Sequence, residues 1–450
     1  MSAITRGPLT DPDGNVLLDG VVAKSDTAAL LTLEEGEIGY ETDTKRLVFG
    51  DGTDNRGTGP STLELIDVIP TGTEAENAAQ VIARYEEQKD RLVAGAKSNA
   101  TYITGGIGIA LTDTFINVND GTTLSEGDII TWGTDGSGSG AFDDTTFSGE
   151  YMIVTKAYAG SVQIRRTWHG TNAALTLNAD LYVIAKTSAT FRLWAGTYDF
   201  TAEDTFPFML PSQWNLVGPD GPDVTRLVRA TGVNSETIVE AYGDANVRGV
   251  GIGWNTTPSG VDLGKALYLW GFTGTIENVR LFSPAIAGIS VASLWGATRE
   301  GAVLRDVKGE TEVMWQILPE GDLLLDDVRL IQTGTTYSSG IYSNLFGSAM
   351  TIKVYRSTLS AGGGIPVALQ DSLTGLIAEH STFATDVVTS IAASVQVYNS
   401  GHVLELLQCS FNAPLYDYGA GSQDTISNYN DLGPDASTGC VQNTAINPRP

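Results

Sequence analysis

Val247-Arg-Gly-Val250-Gly-Ile252 recurs through the second half of the chain. It returns as Ile276-Glu-Asn-Val279-Arg-Leu281, Leu304-Arg-Asp-Val307-Lys-Gly309, Leu325-Asp-Asp-Val328-Arg-Leu330, Val354-Tyr-Arg-Ser357-Thr-Leu359, Ala378-Glu-His-Ser381-Thr-Phe383 and Leu406-Leu-Gln-Cys409-Ser-Phe411. The anchors Val250, Val279, Val307, Val328, Ser357, Ser381 and Cys409 lie 29, 28, 21, 29, 24 and 28 residues apart in turn. A period in the twenties with slack marks a solenoid whose loops vary in length while its core strands do not.

The first apolar residue of each copy and its anchor are three apart, so a flat strand cannot point both inward. A bend between them can. The residue before the anchor is Gly249, Asn278, Asp306 and Asp327 in four copies, types that tolerate a left-handed backbone. Strand, one-residue bend, strand is a corner of a parallel β-helix, with coils stacked about 4.8 Å apart. Stacking places Val247, Ile276, Leu304, Leu325, Val354, Ala378 and Leu406 in one interior row, and Ile252, Leu281, Leu330, Leu359, Phe383 and Phe411 in another. The pattern resembles the pectate-lyase-like right-handed β-helix of phage tailspikes and polysaccharide-cleaving enzymes. Upstream, Ala195-Gly196-Thr197-Tyr198 and Leu216-Val217-Gly218 resemble the opening coils of such spikes.

Bulk composition bounds the rest. A chain of 450 residues suggests two to four domains. Its 52 glycines and 18% charged residues suit turn-rich β structure. The net charge of −27 argues against nucleic acid and anionic membranes as partners. Two cysteines, Cys409 and Cys440, form no disulfide framework; Cys409, at an anchor, is expected to be a buried thiol. No signal peptide or membrane span is expected.

Before the repeats the texture changes three times. Leu33 to Gly52 reads as a hairpin, with strands flanking Asp43-Thr44-Lys45 and Gly50-Asp51-Gly52 closing it. Its Gly36-Glu37, Gly39-Tyr40, Asp43-Thr44 and Gly50-Asp51-Gly52 resemble the N-terminal domain of major-tropism-determinant-type phage tail proteins. That resemblance implies a virion-proximal end and a trimer. Next, Thr73 caps a helix with acids in its first turn, and Ala78, Ile82, Tyr85, Lys89, Leu92 and Ala96 form a heptad seam. Ile82, Tyr85 and Leu92 would pack either in a three-chain neck or against their own chain. The stretch from about Ala100 to Lys186 is strand-like again, and Arg166-Thr-Trp-His-Gly170-Thr-Asn-Ala-Ala174 is similar to a small β-barrel-like insert of phage structural proteins. His169 reads as structural, lacking a second histidine or a carboxylate–cysteine cluster nearby.

The fold expectation is mainly all-β, with five parts: 1–72 an N-terminal virion-attachment β domain, 73–99 a helical neck, 100–187 a small β domain, 188–416 a parallel β-helix and 417–450 an extended tail. For chemistry, Asp306 would stack over Asp327, and Glu277 over Asp326 across an intervening coil. Such carboxylates are what glycosidic hydrolysis needs, with Glu310, Glu312 and Glu379 as further options. Backbone geometry alone also explains Asp306 and Asp327, and Arg280, Lys308 and Arg329 form a cationic row beside them. Trp254, Trp270, Trp295 and Tyr337 are candidates for stacking on sugar rings. No metal or cofactor motif occurs. The reading is a homotrimeric phage spike or fibre, made in the host cytoplasm and carried on the virion. Its N-terminus would meet other virion proteins while its solenoid binds a host-surface glycan or protein. A polysaccharide depolymerase and a purely structural capsid spike are the alternatives.

Overall fold

The computed structural model describes residues 5–10, 16–25, 38–41, 46–49, 64–92, 96–105, 114–133, 151–169, 180–184, 188–202, 207–229, 237–254, 265–282, 292–311, 314–332, 339–343, 350–362, 364–369, 374–385, 395–397, 403–411, 415–417 and 423–427. The chain divides into two compact units. One comprises Met1–Asp67, Ala83–Arg192 and Gln213–Asn215; the other comprises Val68–Ile82, Leu193–Ser212 and Leu216–Pro450.

The first unit opens with a four-stranded sheet of Thr5–Thr10, Val16–Ser25, Ile38–Glu41 and Arg46–Phe49, in that order. Its last two strands pair antiparallel, with Ile38 opposite Phe49 and Glu41 opposite Arg46, which is the hairpin expected from the sequence. Further on, Ala96–Gly105, Thr114–Val118, Ile129–Gly133, Tyr151–Tyr158, Ser161–His169 and Asp180–Ile184 close into an antiparallel barrel. Period-2 alternation sends Ile116, Val118, Val162 and Ile164 into its core beside Ile130 and Trp132.

The helix runs Glu74–Leu92. Thr73 and Glu76 form a reciprocal capping box: the Thr73 N–H donates to Glu76 Oε2 at 2.7 Å, and the Glu76 N–H to Thr73 Oγ1 at 3.3 Å. Tyr85, 1% exposed, packs edge-on to Trp214 at 5.7 Å and beside Phe191 at 5.9 Å between ring centroids. Ala78, Ile82 and Lys89 are buried as well. These seam side chains are thus buried in the single chain, and the side chain of Leu92 lies outside the described residues.

The second unit is a parallel β-solenoid. Each clear coil contributes two strands meeting at a bend, then a third strand in a separate parallel sheet that runs from Phe208–Leu210 through Lys265–Phe272 and Ala292–Thr298 to Leu415–Asp417. Both expected interior rows form in register. Ile276 pairs with Leu304, Leu304 with Leu325, Leu325 with Val354, Val354 with Ala378 and Ala378 with Leu406. In the second row Gly309 stands between Leu281 and Leu330. The coils also run past residue 416. Gln423–Ser427 pairs with Val403–Leu407, placing Ile426 under Leu406. This part of the expected tail is a further coil, hidden in the sequence because Asp424 replaces an apolar residue beneath Leu404.

The bend is the same in every clear copy. Gly249 has φ 68°, Asn278 51°, Asp306 48° and Asp327 54°; Arg356, His380 and Gln408 continue at 48°, 50° and 52°. At Gly249 the coils also approach closely: an added Cβ would lie 2.2 Å from the Gly218 carbonyl oxygen. Arg356, His380 and Gln408 carry ordinary side chains in a left-handed conformation that costs each about 1–2 kcal/mol. In these copies the anchor changes from valine to Ser357, Ser381 and Cys409. Ser357 Oγ lies 2.7 Å from Tyr355 O and Ser381 Oγ 2.9 Å from Glu379 O, while Cys409 Sγ lies 3.5 Å from Leu407 O. Each side chain bridges its own bend. Burial pushes the Cys409 thiol up to about 11, so it stays a protonated donor.

We expect Gln408→Gly to raise the melting midpoint by relieving the bend. Ser381→Ala, which leaves the Ser357 N–H without its Oγ acceptor at 3.1 Å, is expected to cost about 1–3 kcal/mol. Thermal unfolding of the purified variants checks both; a lower midpoint for Gln408→Gly contradicts the strain account.

Candidate functional site

The outward rows of the solenoid place the expected residues on two faces. On the bend face, Arg248 pairs with Glu277, Glu277 with Arg305, Arg305 with Asp326, Asp326 with Tyr355 and Tyr355 with Glu379. Glu277 and Asp326 do sit two coils apart, about 10 Å by rung spacing. Arg305 occupies the coil between them and contacts Asp326 at 3.5 Å, while Arg248 contacts Glu277 at 3.0 Å. Arg356 also closes on Asp326. The position where a scissile sugar would lie between the two carboxylates is thus a guanidinium.

Asp306 and Asp327 follow their neighbours into adjacent coils, with Arg305 over Asp326 on one side and Lys308 over Arg329 on the other. Asp306 meets Lys308 at 3.0 Å and Arg280 at 3.2 Å. Burial works to raise its pKa, but hydrogen bonds from Lys308 and Arg280, with their charges, outweigh that and hold the carboxyl below the usual range. A general acid in glycoside cleavage needs the opposite shift. Both aspartates occupy the left-handed bend, as their backbone role requires. Glu379 continues the outward row, whereas the side chains of Glu310, Glu312 and His169 lie outside the described residues.

The aromatic candidates separate cleanly. Trp254 is 6% exposed, so its faces are closed to a sugar. Trp315 is core, donating its indole N–H to Ser360 O at 2.9 Å. Tyr337 lies outside the described residues. Trp270 and Trp295, however, stand half-buried on the outward face of the third sheet. There Glu240 pairs with Tyr268, Tyr268 with Trp295 and Tyr242 with Trp270. Alternation turns Val239, Ala241, Leu267 and Leu269 inward and the other rows away from them, where Tyr268, Trp270 and Trp295 are half-buried and Glu240 and Tyr242 are buried.

The result is a continuous aromatic tray. Its accessible rings are Tyr268, Trp270 and Trp295; Tyr242 is fully buried and backs Trp270 in a parallel stack with centroids 6.4 Å apart, while Tyr268 meets Trp270 edge-on at 4.4 Å. Lys265 Nζ lies 4.4 Å from the Tyr268 centroid and 5.9 Å from that of Trp295. Glu240, only 1% exposed, accepts a short hydrogen bond from the Tyr242 hydroxyl. The Trp270 indole N–H is buried and has no acceptor among the described residues. Sequence reasoning singled out the two tryptophans but missed Glu240, Tyr242, Lys265 and Tyr268. A glutamate in the apolar strand Val239-Glu-Ala-Tyr242 was the available signal.

Residues 24–54 match the major tropism determinant N-terminal domain. The match encloses the paired strands Ile38–Glu41 and Arg46–Phe49 and the motif residues that carried the resemblance. The chain thus joins a segment similar to that domain to a parallel β-solenoid. No curated protein matches it in sequence. Among solved structures it is similar to pectin methylesterase PemA from Erwinia chrysanthemi, at 10% identity and TM-score 0.23, covering 54% of this chain and 84% of that one. It is also similar to the tailspike protein gp49 from Pseudomonas phage LKA1, at 13% identity and TM-score 0.22, covering 73% of this chain and 62% of that one. The Pseudomonas phage phi297 tailspike gp61 gives 12% identity and TM-score 0.25, with coverages of 72% and 62%. The chain spans under two thirds of both tailspikes. At these values the solenoid rests on its own strand pairing. Among the described residues no helix is long and apolar enough to cross a membrane.

The depressed Asp306 carboxyl sets a pH prediction. A carboxyl held below its unfolded value contributes stability that is present above that value and is lost as pH falls through the folded one. Asp306→Asn is therefore expected to lower the melting midpoint at neutral pH by the equivalent of roughly 0.5–1 kcal/mol. The difference should shrink as pH falls from the ordinary carboxylate range through the lowered folded value. Melting scans from pH 2 to 7 read it, and a difference of the same size at every pH contradicts the assignment.

Proposed function

We propose that the protein is a bacteriophage receptor-binding spike. Its N-terminal segment attaches it to other virion proteins, and its solenoid holds a host-surface glycan. The single observation that carries the glycan reading is the half-buried aromatic tray of Tyr268, Trp270 and Trp295 on the outward face of the third sheet. Pyranose rings present an apolar C–H face that stacks on such rings, and their hydroxyls suit the Lys265 ammonium beside them. The N-terminal match supports the virion end of the reading. Self-assembly as a homotrimer belongs to the same proposal, and mass photometry of the purified chain reads it directly.

Binding without cleavage is the reading the bend-face carboxylates favour, since Glu277, Asp306 and Asp326 are each paired with basic side chains. The test is retention of host-surface polysaccharides by purified protein, with chain length followed by size. We expect retention without shortening, and a loss of at least tenfold in affinity for Trp295→Ala and Trp270→Ala. Shortened chains would make the protein a depolymerase, and undiminished retention in both variants would remove the tray from recognition.

A further inference from the structure

The barrel of the first unit carries an outward patch that neither its core nor the solenoid explains. Three of its strands lie side by side: Thr114–Val118, Ser161–His169 and Tyr151–Tyr158. Register places Phe115, Gln163 and Lys156 in one cross-strand row, and Asn117, Ser161 and Tyr158 in the next. Ile116, Val118, Val162 and Ile164 alternate with these rows and fill the core, so both rows face away from it. Phe115 is 46% exposed and Tyr158 42%. Among the described residues no other aromatic side chain is exposed to this degree. Their rings bridge the middle strand with centroids 6.2 Å apart and planes tilted by 32°.

What surrounds the rings indicates what they take. Ser161 and Gln163 lie between them on the middle strand, with Asn117 and Lys156 at the two remaining corners. Among the described residues neither amide side chain makes a hydrogen bond. Lys156 Nζ stands 5.7 Å from the Tyr158 centroid. Two rings edged by four polar side chains are too small for a stable chain–chain interface, which needs about 800 Å² per partner. A cross-strand aromatic pair can also serve sheet stability alone, but that role does not call for unengaged amides on both sides.

We propose that this patch is a second carbohydrate-binding site, taking one neutral pyranose ring. The apolar face of the sugar lies on Phe115 and Tyr158, and its ring hydroxyls meet Asn117, Gln163 and Ser161. A neutral sugar fits because the strand face supplies amides and a hydroxyl, which both donate and accept, with one cation at the margin. The site lies in a different unit from the solenoid tray and does not depend on it.

The test uses the full chain and a panel of neutral methyl hexopyranosides and methyl N-acetylhexosaminides, read by saturation-transfer-difference NMR. Wild type and Trp295→Ala are each compared with and without the pair Phe115→Ala and Tyr158→Ala. We expect at least one glycoside to lose fivefold or more of its signal with the Phe115/Tyr158 pair in both backgrounds, at an unchanged melting midpoint. Asn117→Ala with Gln163→Ala, which keeps the rings, should weaken the same glycoside. Unchanged signal for every glycoside overturns the site. So does a fall in melting midpoint or a change of oligomeric state without loss of sugar signal, which would assign the rings to the sheet or to a second copy. Failure of the tray reading shows separately, as polysaccharide retention indifferent to Trp295→Ala.

Discussion

The left-handed residue at the bend between the first two strands of each coil governs the C-terminal half of the molecule. Because it turns the chain between two strands, residues three apart both face inward, and interior rows of Val, Ile and Leu become continuous. The bend also binds coil to coil. The N–H groups of Gly249, Asp327, Arg356 and His380 donate to carbonyls of the following coil at 2.9–3.0 Å, so the corner carries ladder hydrogen bonds as the strands do. Where glycine, asparagine or aspartate occupies the bend the conformation is inexpensive. Where arginine, histidine or glutamine does, a serine or cysteine anchor bridges the bend from inside. Strain and compensation sit one residue apart.

Fixing the corner fixes what each face displays. The bend face displays alternating charges, with Arg305 wedged between Glu277 and Asp326. Exposed ion pairs of this kind contribute little stability each, but opposite charges in neighbouring coils favour the observed register over a slipped one. The third sheet displays rows in which aromatic side chains from successive coils meet. Tyr242 stacks on Trp270 and Tyr268 pairs with Trp295 because parallel strands bring equivalent positions together. A rigid stack of this sort suits recognition, since the rings lose little freedom when a ligand settles on them.

Much of this was legible in the sequence because the bend imposes a pattern that survives variation in loop length. Both interior rows, the anchor positions and the left-handed sites at Gly249, Asn278, Asp306 and Asp327 could be read from spacing and residue type. Arg356, His380 and Gln408 could not, because their side chains do not advertise a positive φ and the stabilising partner lies at the anchor. The last coil was hidden for a similar reason: Gln423–Ser427 keeps one apolar residue, and backbone pairing carries it. The aromatic tray was half legible. A tryptophan in a strand is as consistent with the core as with the surface, and only the register separates Trp270 and Trp295 from Trp254 and Trp315. The helix seam showed the complementary ambiguity: heptad spacing reveals a buried face, not the identity of what buries it. Tyr85 meets Phe191 and Trp214 of its own chain.

Amide hydrogen exchange at the corners tests the central claim most directly. If the bends are joined coil to coil, the amides of Asp327, Arg356 and His380 will exchange as slowly as those of the strands flanking them. Rapid exchange at these three positions beside protected strands would contradict the account, because the corners would then be loose connections rather than the element that sets the register.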